Sequence, residues 1–316
     1  MNKILEIKKL NLGFNTEGGF RQALWDVSLD LNRGEMHALV GESGCGKTIT
    51  AMSTLRLLPK NAEIKSGEII YRGEDILNIA PAKLSTIRGA KIALIPQDPM
   101  TSLNPLYTVG DQLLEVIKIH QGLSGKAAYE KAIEALKTVQ IPSAEERFKS
   151  YPHEFSGGMK QRAIIAMALA CRAEILIADE PTTALDVTIQ AQIMKLLQKI
   201  KTETGVSILL ITHDLALVSE NADFVSVMYA GRIVESARAE DFFKQPRHPY
   251  SLALLKSIPS NRGEKLETIQ GQPPSIYQEI TGCRFHPRCE KCFEKCKTEI
   301  PPLIPTAPNH TVACWR

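Results

Sequence analysis

Three groups of residues in this chain have types and spacings that could do chemistry. The first is GESGCGKT (41–48), which fits the pattern G-x-x-x-x-G-K-[ST]. Gly41, Gly44 and Gly46, with Ser43 between them, let backbone N–H groups face a phosphate. Lys47 can reach the β- and γ-phosphates, and the Thr48 hydroxyl can hold Mg²⁺. The second is ILIADEP (175–181), an apolar run ending in two carboxylates. Asp179 suits Mg²⁺, directly or through water. Glu180 suits the general base that orients and deprotonates an attacking water. The third is GCRFHPRCEKCFEKC (282–296), with Cys283, Cys289, Cys292 and Cys296, followed by Cys314. Thiols at this density indicate a disulfide framework, a metal site or a redox centre.

These groups need elements to position them. MHALV (36–40) reads as a short buried strand, and TITAMSTLRLL (48–58) has helical spacing, so the glycine-rich turn sits between strand and helix as phosphate binding requires. ILIAD (175–179) and SILLIT (207–212) read as parallel strands. Between them, Ile189, Ile193, Leu196, Leu197 and Ile200 share one helical face. Alternation of this kind predicts an α/β layered domain. His213 directly follows SILLIT. If that strand neighbours ILIAD, His213 lies where ligands bind, beyond the carboxyl ends of the strands, and reaches the γ-phosphate. Residues from about 99 to 172 carry helical patterns and no strand signal. After residue 245 the composition changes, and 10 of the 18 prolines fall there, which predicts a loop-rich appendage.

Bulk properties exclude several classes. A net charge of +3 over 316 residues, with no basic block, gives no footprint for nucleic acid. The N-terminus MNKILEIKKLNLGF lacks the apolar core of a secretory signal. The longest apolar stretch is interrupted by Arg172 and Glu174, so no bilayer span is expected. A cytosolic chain is the expectation, and reduced thiols there favour metal binding over disulfides. The spacing C-x₅-C-x₂-C-x₃-C is neither a ferredoxin run nor the two-pair zinc arrangement. His286 and His310 are conceivable zinc ligands, while Cys45 and Cys171 read as small buried or loop residues.

The segment EFSGGMKQR (154–162) resembles the signature motif of the ATP-binding cassette (ABC) ATPases, usually written LSGGQ. Gly157 and Gly158 match; Phe155 and Met159 depart from the pattern. The resemblance covers about residues 4–255. It implies a P-loop NTPase fold with a RecA-like core, an antiparallel β subdomain and a helical subdomain at about 99–172. An ABC ATPase domain would span residues 1–255, with an appendage at 256–316. The resemblance further implies that Gln97 in LIPQDP is the lid glutamine linking Mg²⁺ and the attacking water to the helical subdomain. By the same resemblance, Asp186 lies in the loop that crosses a dimer interface and His213 is the switch histidine. Ser156, Gly157 and Gly158 would complete the site of a partner subunit, so that two ATPs sit in a head-to-tail dimer. Phe14 or Phe20 would stack on adenine.

QDPMTSLNP (97–105), FSGGMKQR, HPYSLALLKSIP (248–259) and the tail GCRFHPRC resemble the ATPase subunits of the oligopeptide, dipeptide and nickel importers. That resemblance implies a second ATPase subunit, identical or paralogous, and two integral-membrane permeases served by an extracytoplasmic binding protein. The chain would then lie peripherally on the cytoplasmic face of the membrane. It also implies Cys283, Cys289, Cys296 and Cys314 as the ligand set, with Cys292 as the extra. The group held would be a [4Fe–4S] cluster or, alternatively, Zn²⁺, acting as a structural staple. Other functions weighed against this are nickel import, a soluble ABC ATPase acting on ribosomes or DNA, and a small-molecule kinase. The single cassette and the FSGGMKQR segment count against the last two.

Overall fold

The computed structural model describes residues 2–183, 185–257 and 269–316. The chain forms two compact units, one built from residues 1–78 and 211–316 and the other from 79–210. It begins in the first, passes through the second and returns.

The first unit opens with a long antiparallel hairpin, β1 (Lys3–Thr16) and β2 (Gly19–Asn32). Leu5, Ile7, Leu10 and Leu12 on β1 and Leu24, Val27, Leu29 and Leu31 on β2 are buried, an apolar-in, polar-out alternation that fits one wet face. The phase of β1 changes where its register slips between Ile7 and Leu10, and Lys9 sits at φ 45 in that bulge. β3 (Met36–Val40) is buried along its whole length and runs directly into the 41–46 loop and α1 (Lys47–Thr54). β4 (Ala62–Tyr71) pairs with the free edge of β1, and β5 (Glu74–Asp75) turns back on it, giving the order β2-β1-β4-β5.

The second unit starts with α2 (Pro81–Ile87) and β6 (Ile92–Ile95). Only helices lie between β6 and the next strand: α3 (Pro99–Ser102), α4 (Val109–Gln121), α5 (Gly125–Thr138), α6 (Ala144–Arg147) and α7 (Gly157–Ala170), with a 3₁₀ turn at Pro152–Glu154. Thr108 caps α4, accepting from the Asp111 N–H at 3.0 Å, and Gly122 ends it at φ 68. α4, α5 and α7 pack on one another, and α7 is buried on nearly every side. β7 (Ile175–Asp179) runs parallel to β6, with Ile92 opposite Ile175. α8 (Val187–Thr204) buries Ile193, Leu196, Leu197 and Ile200 of the five residues placed on one face by their spacing, leaves Ile189 half-buried near its start, and leads to β8 (Ser207–Thr212).

Back in the first unit come α9 (Leu215–Asn221), β9 (Phe224–Tyr229), β10 (Arg232–Arg238), α10 (Ala239–Lys244) and α11 (Pro249–Lys256). β9 lies parallel to β3, and β10 returns antiparallel through Ala230 and Gly231, both at positive φ. The tail is less irregular than its proline content suggests. It forms α12 (Glu294–Thr298), β11 (Ile304–Ala307) and β12 (His310–Val312), and β12 pairs with β10. Phe285 from the tail is buried in one cluster with Val40, Val227, Tyr229, Phe242 and Tyr250. The last two residues of HPYSLALLKSIP lie outside the described residues. Among the described residues, no helix is long and apolar enough to cross a membrane.

Candidate functional site

In the first unit, the three loop glycines are required for different reasons. Gly41 (φ 153) has no room for a side chain, because a Cβ there would run into the Met228 carbonyl. A Cβ at Gly46 (φ 111) would come within 2.7 Å of Leu24. Gly44 faces open space, but its φ of 77 favours glycine. The loop is pinned from below by the Gly231 N–H, which donates to the Cys45 carbonyl at 2.8 Å. Gly46 N-caps α1 without a side-chain cap, and a helix N-terminus of this kind favours an anion through its dipole. Lys47 is buried, and its Nζ donates to the carbonyls of Gly41 (2.8 Å) and Glu42 (3.1 Å). Ser43, Gly44 and Thr48 are exposed on the outer side of the loop. Burial raises the Cys45 thiol to about 11, consistent with an inert packing residue.

His213 is exposed immediately after β8, and Asp214 beside it caps α9 through the N–H groups of Ala216 and Leu217. Phe14 is half-buried on β1. Phe20 packs on the same hairpin with the Lys65 ammonium 4.6 Å from its ring centroid. Nothing in the geometry selects either ring for adenine.

In the second unit, β7 ends in Asp179, 2% exposed, and Glu180 follows with φ 46. A non-glycine residue in that region carries backbone strain of the kind stored at functional sites. One oxygen of Glu180 accepts from the Thr183 hydroxyl at 2.8 Å and from the Gln97 amide at 3.4 Å. Glu180 and Gln97 are thus brought together, with Thr183 as a partner that motif reading missed. At the N-terminus of α7, the Ser156 hydroxyl accepts from the Met159 N–H at 3.3 Å. Phe155, one of the two departures from the signature pattern, is buried in the core. Gly158 sits so close to Ile189 that a Cβ would lie 2.9 Å from its methyl group, and Gly157 faces Leu185. The signature turn therefore lies against the start of α8, where Asp186 is the N-cap, accepting from the Ile189 N–H at 3.0 Å.

All seven cysteines are free thiols. Cys283, Cys289, Cys296 and Cys314 line one small pocket together with His248 and His286. Cys292 is not among its lining residues. Burial, with the neighbouring thiols adding to it, raises Cys283 to about 11. Any metal ligation there must therefore release a tightly held proton. Among the described residues, no three His, Cys, Asp or Glu side chains are grouped closely enough to hold a single ion. Of the histidines considered for zinc, His310 lies outside the pocket lining, with Nε2 2.7 Å from the buried Glu235, while His286 lines the pocket with Nδ1 3.0 Å from the Cys283 carbonyl.

Residues 24–183 match the family model described as ABC transporter. The chain belongs to the ABC transporter ATP-binding family. Residues 234–296 of this ABC protein match a second model, the oligopeptide/dipeptide transporter C-terminal region. It is similar along its length to a probable peptide ABC transporter ATP-binding protein of Sinorhizobium fredii (48% identity, covering 99% of this chain and 95% of that one). It is also similar to the dipeptide transport ATP-binding protein DppD of Bacillus subtilis (48%, covering 100% and 95%). The oligopeptide transport ATP-binding protein OppD of Salmonella typhimurium is similar at 47% identity, covering 100% and 94%. Among solved structures, a dimeric ATP-binding cassette bound to ADP and Pi in a post-hydrolysis state covers 74% of this chain, with a TM-score of 0.67 and 26% identity. The cbiO1 component of a cbiONQ transporter from Clostridium perfringens covers 78%, with a TM-score of 0.67 and 28% identity. This ABC cassette thus has the α/β nucleotide-binding fold with mixed sheets, and ATP is its expected nucleotide.

Proposed function

We propose that this chain is the ATP-hydrolysing subunit of an importer for di- or oligopeptides. It would work as a head-to-tail dimer with an identical or paralogous ATPase, on the cytoplasmic face of two membrane permeases that an extracytoplasmic binding protein supplies. The observation that carries this reading is full-length similarity, through the C-terminal region as well as the cassette, to peptide-transport ATPases. In the proposed division of labour, residues 41–48 hold the triphosphate, and Lys47 neutralises charge on the β- and γ-phosphates. Glu180 accepts the proton of the attacking water, with Gln97 and Thr183 fixing its carboxylate. His213 donates to the γ-phosphate, and Ser156, Gly157 and Gly158 present the α7 N-terminus to the partner's nucleotide. Asp186 would lie at the dimer interface while capping α8. Thr48, Asp179 and Gln97 have the hard oxygen donors that Mg²⁺ prefers, and the ion would neutralise phosphate charge when bound.

The appendage belongs to the same proposal, as residues 256–316 beside a cassette of 1–255 whose helical subdomain spans about 99–172. Cys283, Cys289, Cys296 and Cys314, the set that the resemblance implies, would hold a [4Fe–4S] cluster or, alternatively, Zn²⁺, since both take thiolate ligands. Its role would be to staple the tail. Iron and zinc quantification on anaerobically purified protein tests this, with about four irons per chain expected and neither metal refuting it. The transport reading is tested by peptide uptake in cells lacking the chain. Loss of uptake restored by the wild type but not by Glu180→Gln is expected; uptake unaffected by the deletion would overturn it.

A further inference from the structure

Glu42, the second residue of the phosphate loop, is held by the tail of the same compact unit. Arg288 grips its carboxylate in two-pronged fashion, Nη1 donating to Oε2 at 2.7 Å and Nη2 to Oε1 at 3.0 Å. The other guanidinium donors are also anchored: Nε to the Gln270 carbonyl at 2.9 Å, Nη2 to the Gly271 carbonyl at 3.2 Å and Nη1 to the Tyr229 hydroxyl at 3.4 Å. The Arg288 side chain is 6% exposed and that of Glu42 is 23%, so solvent screens the pair weakly. The backbone of residue 42 is held as well, its N–H donating to the Tyr250 hydroxyl at 3.0 Å. Tyr250 is wholly buried on α11 and packs on Tyr229 and Phe285, ring centroids 4.6 and 5.3 Å away.

Residue 42 cannot shift without moving the two carbonyls, its own and that of Gly41, that receive the Lys47 ammonium. The same shift would turn the adjoining N–H groups of Ser43 and Gly44. A planar guanidinium fixes orientation as well as charge, which a lysine ammonium does not. We propose that Arg288 is a positioning residue for nucleotide binding: by gripping Glu42 it holds the phosphate loop in the shape that receives a nucleoside triphosphate, so that affinity for ATP is set in part from the C-terminal segment. This rests on the reading of residues 41–48 as the phosphate loop.

The test is titration of the purified full-length chain with a fluorescent ATP analogue and Mg²⁺, alongside unfolding midpoints measured without nucleotide. Arg288→Lys and Glu42→Gln should each raise Kd about tenfold, in line with the strength of charged hydrogen bonds. The double variant should be no worse than the weaker-binding single, because both act through one contact. Glu42→Gln leaves the tail untouched and keeps the test valid if Arg288→Lys folds poorly. Singles within twofold of wild type, or a lowered midpoint with unchanged Kd, would overturn the inference, as would a double variant whose effect is the product of the singles. Lys47→Ala separates the two levels. If wild type binds no tighter than Lys47→Ala, the phosphate-loop reading itself fails. If wild type binds tighter but the Arg288 and Glu42 variants match it, only the positioning role fails.

Discussion

Glu180 combines a strained backbone, at φ 46, with two side-chain partners on one oxygen, Thr183 at 2.8 Å and Gln97 at 3.4 Å. These contacts hold the carboxylate in one orientation, which a base acting on a bound water requires. Glu180→Gln keeps size and hydrogen bonding but removes basicity. It should lower turnover by about 10²–10⁴-fold with nucleotide affinity retained, measured by steady-state hydrolysis and equilibrium binding. Thr183→Val removes the orienting hydroxyl alone. A charged hydrogen bond contributes about 1.5–3 kcal/mol, so kcat should fall about tenfold or more with KM little changed. An unchanged kcat in Thr183→Val would show that Gln97 suffices. The carboxylate pair is legible as a motif, and Gln97 through the family resemblance. Thr183 is not, because a threonine three residues past a carboxylate has no distinctive type or spacing.

At the scale of elements, α11 begins at His248, whose Nδ1 accepts from the Tyr250 N–H at 3.0 Å. Accepting there requires the neutral ring, and complete burial lowers the His248 pKa from 6.5 to about 3. Below about pH 6.5 the unfolded chain binds a proton at this histidine that the native state refuses, so stability falls as pH drops through the window from about 6.5 to 3. His248→Asn keeps a capping acceptor without the titration. Its unfolding midpoint should change less between pH 7 and pH 5 than that of the wild type, as followed by circular dichroism. The tail element is joined to the core by Phe285, 3% exposed among Tyr229, Tyr250 and His248. Phe285→Ala should cost about 3–5 kcal/mol, read from denaturant unfolding. A loss below about 1 kcal/mol would mean that the tail is an independent attachment. The proline-rich composition of the tail predicts irregular structure. It hides β12, whose three residues are too few to show a period and are set by pairing to β10.

For the whole molecule, the signature turn at Ser156–Gly158 and the start of α8 form one exposed edge, with Val187 80% exposed beside Asp186. In the proposed head-to-tail dimer, that edge would face the partner cassette. ATP binds the closed dimer more tightly than the open monomers if it shifts their equilibrium at all. Glu180→Gln with MgATP should therefore elute as a dimer in size-exclusion chromatography with light scattering, and as a monomer without nucleotide. A monomer under both conditions would count against the sandwich.

The phosphate loop, the carboxylate strand end, the signature turn and the cysteine density can be read from the sequence alone. Each is local: a few residues of fixed type, whose chemistry follows from backbone freedom, charge or thiol content within one short stretch. Tertiary structure decided the rest. It selected four of the five clustered thiols for one pocket and gave His310 to Glu235. It also brought Arg288 and Tyr250 to Glu42, across separations of 246 and 208 residues. Such contacts are encoded in how buried apolar surfaces dock, through Phe285 and its aromatic neighbours. No spacing along the chain records which surfaces will meet.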